Sequence, residues 1–179
     1  KITFNQNDSF DIKPIIIPVQ RLKELQSHIM LYFTGFSRFS SEIAKVQIKE
    51  TPNKKKELSL IHQMVEEAIS ILNSDRDIND FGCLLRESWK LKRSLTNKIT
   101  TSRVEEIYDL AVSLGASGGK LLGAGGGGFM IIFAKPEIQQ KIKEKLKALL
   151  IVPFQFESVG SQIIVYQPNL FYSINNNRT

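Results

Sequence analysis

The stretch Lys120-Leu-Leu-Gly-Ala-Gly-Gly-Gly-Gly-Phe-Met-Ile-Ile-Phe-Ala134 decides the fold of this chain. Five of its residues are glycine, and four of them run unbroken from Gly125 to Gly128. Glycine loses more conformational freedom on folding than any other residue. A run of four therefore needs a backbone path with φ > 0, or close approach of the main chain to a ligand or another segment. The residues that follow, Phe129-Met-Ile-Ile-Phe-Ala134, are few and all apolar, which predicts a buried strand. The chain makes a glycine turn and then enters a sheet. Composition alone leaves two readings equal: a glycine hairpin between core strands, or a turn that meets a ligand.

Two phosphate-binding patterns can be set aside. Gly123-Ala-Gly-Gly-Gly-Gly128 matches G-x-G-x-x-G in form. A dinucleotide fingerprint, however, needs a helix to start at the glycines so that its N-terminus faces the pyrophosphate, and here a strand follows. A Walker A loop needs Gly-Lys followed by Ser or Thr, but Gly119-Lys120 is followed by Leu121.

Upstream, Ile2-Thr-Phe4 and Ile15-Ile-Ile17 are β-branched runs, the second bracketed by Pro14 and Pro18 as at a sheet edge. Val19–Gln26 predicts a short helix, Ile29–Phe33 a central strand, and Arg38–Lys49 a helix capped by Ser37. Three helical stripes follow: Leu58, Ile61, Val65, Ala68, Leu72; then Phe81, Leu84, Leu85, Ser88, Trp89, Leu95; then Val104, Ile107, Tyr108, Ala111, Leu114. Thr101 or Ser102 caps the third, with Glu105 completing a capping box on Ser102. Downstream, Pro136 opens a helix whose buried stripe is Ile138, Ile142, Leu146 and Leu149. Val152–Phe156 and Gln162–Tyr166 are predicted as two last strands joined at Gly160, and Asn169–Thr179 as a frayed end. This order predicts an α+β domain spanning residues 1–179, with an antiparallel sheet covered by helices on one face.

The chain has 179 residues, a hydrophobic content of 42% and a formal net charge of +6. Its lysines are interleaved with glutamate, as in Lys141-Ile-Lys-Glu-Lys-Leu-Lys147, and no aromatic cluster accompanies them. That pattern describes a solvated face rather than a nucleic-acid groove, and a small phosphorylated ligand fits the charge equally well. The single cysteine, Cys83, sits in an apolar helical pattern and is expected in the core; one cysteine excludes an internal disulfide and agrees with a reducing cytoplasm. His28 and His62 stand apart, no cluster has metal-ligand spacing, and no metal site is expected. No apolar run reaches membrane-spanning length, so no membrane partner is expected. The opening Lys1-Ile-Thr-Phe4, without an initiator methionine, is expected to be the middle of a strand whose upstream part is missing.

Lys120-Leu-Leu-Gly-Ala-Gly-Gly-Gly-Gly-Phe129 resembles the third, C-terminal motif of the GHMP kinases, named for galactokinase, homoserine kinase, mevalonate kinase and phosphomevalonate kinase. Tyr32-Phe-Thr-Gly-Phe-Ser-Arg38, Leu85-Arg-Glu-Ser-Trp-Lys-Leu-Lys-Arg-Ser-Leu95, Pro153-Phe-Gln-Phe-Glu157 and Gly160-Ser-Gln162 are similar to one branch, the bacterial D-glycero-D-manno-heptose 7-phosphate kinases. The likeness runs from about Ile2 to Pro168, and the Trp-x-Leu-Lys segment is more specific than the glycines. The resemblance implies a ferredoxin-like α+β C-terminal half of an ATP-dependent kinase acting on the anomeric hydroxyl of heptose 7-phosphate to give the 1,7-bisphosphate. The family's P-x-x-x-G-L-G-S-S phosphate loop has no counterpart here. ATP and Mg²⁺ are therefore expected to be held mainly by an N-terminal half, in cis or in trans, and no catalytic residue is assigned in this chain. A non-catalytic ferredoxin-like binding or regulatory domain is the alternative.

The resemblance places Gly123, Gly125, Gly126, Gly127 and Gly128 at the wall of the active cleft, their N–H groups available to anionic oxygens. Lys120 is expected either on a phosphate or in solvent at a strand end. Arg38 would grip a sugar phosphate with its bidentate fork, or lie on a helix face. Lys92 and Arg93 are split by the helical turn, so one of them faces the cleft. Trp89 is a core residue or a sugar platform, the core reading carrying more weight.

Overall fold

The computed structural model describes residues 1–35, 40–157 and 159–166. The elements in chain order are β1 (Ile2–Phe4), β2 (Phe10–Ile12), α1 (Val19–Ser27), β3 (Ile29–Phe33), α2 (Ser40–Glu50), α3 (Lys55–Leu72), α4 (Asn79–Leu95), α5 (Ser102–Ser113), β4 (Gly118–Leu121), β5 (Phe129–Phe133), α6 (Pro136–Lys145) and β6 (Leu150–Ile151). β1 and β2 form a separate antiparallel hairpin. The other four strands make one antiparallel sheet in the order β4-β5-β3-β6. The glycine stretch is the β4–β5 connection, so the expected hairpin is found and its strands lie at one side of the sheet.

Alternation along the strands sorts the sheet into two faces. Met30 and Tyr32 of β3, Met130 and Ile132 of β5 and Leu121 of β4 point into the main core. There they meet Val104, Ile107, Tyr108 and Ala111 of α5 and Ile142 of α6, with Leu146 just beyond it. The stripes read from sequence for these two helices are the buried ones, because both helices connect strands of this sheet and must lie against it. Phe133 points the other way, into a smaller cluster with Leu25, Ile78, Ile29, Phe81 and Leu85. α4 thus covers the β4 end of the second face. Its approach is close: a Cβ on Gly118 would lie 2.0 Å from the carbonyl oxygen of Gly82.

Several local expectations need correction. Ile15–Ile17 is not a strand; β1 pairs instead with Phe10–Ile12, through Ile2–Ile12 and Phe4–Phe10. Pro14 and Pro18 bracket that run and offer no N–H to carry a ladder past either end of it. Val152–Phe156 is not a strand either. The ladder ends when the Val152 N–H donates to Leu31 O at 2.8 Å, because Pro153 has no N–H to continue it. Gln162–Tyr166 is irregular, and Ile163 and Ile164 are exposed. The α3 stripe is half open, with Val65 42% exposed, and the buried residue of α3 is Ile71, outside that stripe. α3 packs mainly on α4, so the rest of its apolar face lines a groove. Cys83 is exposed rather than in the core, one position off the apolar stripe of α4. Thr101 caps α5, accepting from the Val104 N–H at 3.3 Å. Glu105 is turned to Thr100 and Arg93 instead of closing a capping box. Ser37, the expected cap of α2, and the end from residue 167 onward lie outside the described residues.

Candidate functional site

The turn begins where the Leu122 N–H donates to Phe129 O at 2.8 Å, the last rung between β4 and β5. Beyond it the backbone takes positive φ at Gly123 (69°), Gly125 (124°), Gly126 (77°), Gly127 (152°) and Gly128 (100°). A side chain at Gly125 is excluded twice, by its φ and by Ile99, whose Cα and carbonyl oxygen would both lie 2.8 Å from a Cβ. Around Gly123 and Gly128 the space is open. Part of the glycine requirement is therefore internal close packing, and part is backbone direction.

Three elements pin the turn. The Gly126 N–H donates to Ile99 O at 2.7 Å, from the segment between α4 and α5. At the end of β3, Thr34 donates from its N–H and its hydroxyl to Gly128 O at 2.8 and 2.9 Å, and its Oγ1 accepts from the Gly128 N–H at 3.1 Å. Gln47 of α2 donates from Nε2 to Ala124 O at 2.8 Å. Thr34, Gln47 and Ile99 were not singled out from sequence. Nothing in their residue types marks them, because each acts through long-range contact with the main chain of the turn.

Two lysines converge on the same place. Lys92 of α4 donates from Nζ to Gly123 O at 2.6 Å and Leu121 O at 3.1 Å. Lys120 of β4 donates to Ser88 Oγ at 2.7 Å. Both are half-buried, and neither has a carboxylate partner among the described residues. Burial, and then the neighbouring charge of Lys120, push the Lys92 amine down to about 8. Burial also lowers Lys120. The Lys92–Arg93 pair is split as the helix requires. Arg93 turns to the core side, 5.6 Å from the Trp89 ring centre and 5.5 Å from that of Tyr108, and pairs with Glu105. Trp89 is 0% exposed and stands beside Tyr108, so it is a core residue and offers no surface to a sugar. Arg38 lies outside the described residues; Thr34 and Gly35, which precede it, adjoin the turn.

The structure therefore brings Lys92 against the glycine turn, with Lys120 near Lys92 but bonded to Ser88. The N–H groups of Gly123, Ala124, Gly125 and Gly127 have no partner among the described residues, whereas those of Gly126 and Gly128 are taken. Consecutive unpartnered N–H groups on such a turn can accept an anion. Such surroundings do not suit Mg²⁺, which needs oxygen ligands, usually carboxylates. No group of three potential metal ligands is found among the described residues. Lys120 and Ser88 also close one end of an apolar groove of about 320 Å³ between α3 and α4, which the turn glycines do not line. No described helix is long and apolar enough to cross a membrane.

Residues 61–152, just over half of the chain, match the family "GHMP kinases C terminal". The chain is 29% identical over 151 residues to D-glycero-alpha-D-manno-heptose 7-phosphate kinase of Campylobacter jejuni, covering 80% of this chain and 44% of that protein. Among solved structures, the mevalonate kinase of L. major in complex with R-mevalonate superposes with a TM-score of 0.63 at 21% identity, over 80% of this chain and 43% of its own. A D-glycero-D-manno-heptose 1-phosphate kinase from Bacteroides thetaiotaomicron gives a TM-score of 0.57 at 22% identity, over 87% and 41%. These structural likenesses establish the fold, and the chain spans less than half the length of each of these relatives.

Proposed function

We propose that this chain, which belongs to the GHMP kinase C-terminal family, supplies one wall of the active cleft of a cytoplasmic ATP-dependent sugar-phosphate kinase. The substrate is D-glycero-D-manno-heptose 7-phosphate, by its likeness to the Campylobacter jejuni enzyme. The anomeric oxygen forms a bond to the γ-phosphorus of ATP, the bond from that phosphorus to the β-bridging oxygen breaks, ADP leaves, and the hydroxyl proton is released.

The observation that carries this reading is the run of unpartnered N–H groups at Gly123, Ala124 and Gly125 in a turn of positive-φ glycines. Phosphoryl transfer depends chiefly on positioning and on offsetting charge at the phosphoryl oxygens. Gly123 to Gly128 bring the main chain close to the anion without side chains in the way. The Ala124 and Gly125 N–H groups donate to its oxygens. Arg38, following the Thr34-Gly35 corner, is assigned to the sugar phosphate. ATP and Mg²⁺ are assigned to the part of the kinase outside this chain, because the residues around the turn offer no oxygen cage for the metal.

The test is ³¹P NMR of the protein at its natural length with ATP, Mg²⁺ and heptose 7-phosphate. A new anomeric phosphate signal, reduced at least ~tenfold in Gly125→Val, is expected, as for loss of a group that positions the reacting atoms. If the folded protein turns over ATP with another sugar but not with this one, the substrate assignment is wrong. If it neither binds nor phosphorylates any sugar phosphate, a non-catalytic binding domain is the better description.

A further inference from the structure

The route of the glycine turn is set less by the glycines themselves than by what holds their carbonyls. Glycine permits many paths, so a single path must be imposed from outside. Three carbonyls near the start of the turn are held by side chains. Leu121 O and Gly123 O are held by the Lys92 amine, and Ala124 O by the Gln47 amide. A trans peptide is planar, with its C=O and N–H pointing in opposite directions. Fixing Gly123 O therefore aims the Ala124 N–H away from Lys92, and fixing Ala124 O aims the Gly125 N–H away from Gln47. These are two of the N–H groups without a partner among the described residues.

We propose that Lys92 is a positioning residue that orients the anion-binding N–H groups of the turn by gathering the Leu121 and Gly123 carbonyls, rather than a direct ligand of the phosphate. It rests on the reading that these N–H groups meet a phosphate. An ammonium has three protons, and Lys92 directs two of them to carbonyls. Lys120 commits one to the Ser88 hydroxyl, at the groove between α3 and α4. Of the two neighbouring lysines, Lys92 is thus the one that shapes the turn. Gln47 completes the arrangement from the opposite element, α2.

The experiment compares wild type, Lys92→Met, Lys92→Arg, Lys120→Met and Gln47→Ala in the full-length protein. Amide exchange and ¹⁵N shifts of residues 121–128 are read without ligand, and heptose 7-phosphate affinity is measured separately. Losing one anchor is expected to speed exchange of the Gly126 and Gly128 amides ~tenfold in Lys92→Met, by local opening of the turn. Lys92→Arg should restore protection to within a few-fold, and Lys120→Met should leave it unchanged. Lys92→Met should bind the sugar phosphate more weakly. If Lys92→Met weakens binding but leaves exchange and shifts as in wild type, Lys92 is a direct ligand and the proposal is overturned. Unchanged exchange together with unchanged binding overturns it equally. If the turn responds as expected while wild type binds no sugar phosphate, the positioning role stands and the kinase-site reading falls. Should Lys92→Met fail to fold, the decision passes to Lys92→Gln. Wild-type exchange and shifts in that variant would overturn the proposal.

Discussion

Gly125 lies against the backbone of Ile99 so closely that a Cβ would sit 2.8 Å from both the Cα and the carbonyl oxygen of Ile99. Neither atom belongs to a flexible side chain, and the next residue, Gly126, is hydrogen-bonded to that same carbonyl. Gly125→Ala is therefore expected to cost about 2–4 kcal/mol, from strained φ and forced separation together. Gly123→Ala, with positive φ but open space, is expected to cost about 1 kcal/mol. Urea unfolding of the two variants distinguishes them, and equal costs would mean that the Ile99 contact has no effect.

Gly118 and Gly82 form the second close approach, where α4 crosses β4. A Cβ on Gly118 would meet Gly82 O at 2.0 Å and the Arg86 backbone nitrogen at 3.0 Å. Gly118→Ala must push helix and strand apart, and a loss of at least ~3 kcal/mol is expected. A folded Gly118→Ala protein with an unchanged midpoint would show that α4 lies farther from the sheet.

The Lys92 amine sits at about 8, below the ordinary lysine value, because burial and Lys120 disfavour its charge. The folded state therefore gives up this proton more readily than the unfolded chain. Between about pH 8 and pH 10.4 the unfolded state binds more protons, so stability rises with pH across that window. The gain is on the order of 1 kcal/mol, discounted for a side chain that is partly in water. Denaturation at stepped pH should show the rise in wild type and a smaller one in Lys92→Met. A wild-type stability that falls through this window would contradict the assigned shift.

Tyr32 is 1% exposed, its hydroxyl has no hydrogen-bond partner among the described residues, and burial raises its pKa to about 12. An unsatisfied buried hydroxyl is costly, so Tyr32→Phe is expected to stabilise the protein by about 1 kcal/mol. A loss on thermal unfolding would reveal a partner for the hydroxyl.

Trp89 fills the core where α4 meets α5, and the Arg93 guanidinium lies over it. Trp89→Ala is expected to cost about 3–5 kcal/mol through lost burial and the cavity left behind. Arg93→Met, which keeps bulk but loses the Glu105 partner and the ring contact, should cost ~1 kcal/mol. Calorimetry of both variants tests the order, and an Arg93→Met loss equal to that of Trp89→Ala would refute it.

The elements most legible in the sequence were those whose period and burial coincide. The Val104–Ala111 stripe of α5 and the apolar run of β5 each face the main core, so pattern and environment agree. β1 and β2 were harder because their apolar residues are exposed, with Phe4 81% exposed, and a pattern without a core is ambiguous. Val152–Phe156 alternates as a strand would, but Pro153 lacks the donor that would continue the ladder. At the site, the glycines announced an unusual backbone but not its cause. The contacts of Ile99, Thr34 and Gln47 with the turn join residues far apart in sequence, and no local pattern encodes them. Cys83 was misplaced because one position around a helix separates the groove from open solvent.

The central strand pair of the sheet joins Ile29–Phe33 to Phe129–Phe133, segments about a hundred residues apart. The β4–β5 hairpin closes a short loop and the α3–α4 pair another, so both can form early. The β3–β5 register must wait for the whole helical insert to compact, and it adds a large loop-closure entropy to the folding barrier. β6, docking on the far side of β3, follows it. Refolding is therefore expected to begin at the glycine turn and end at the opposite sheet edge, with the Thr34 anchor on Gly128 among the last contacts made.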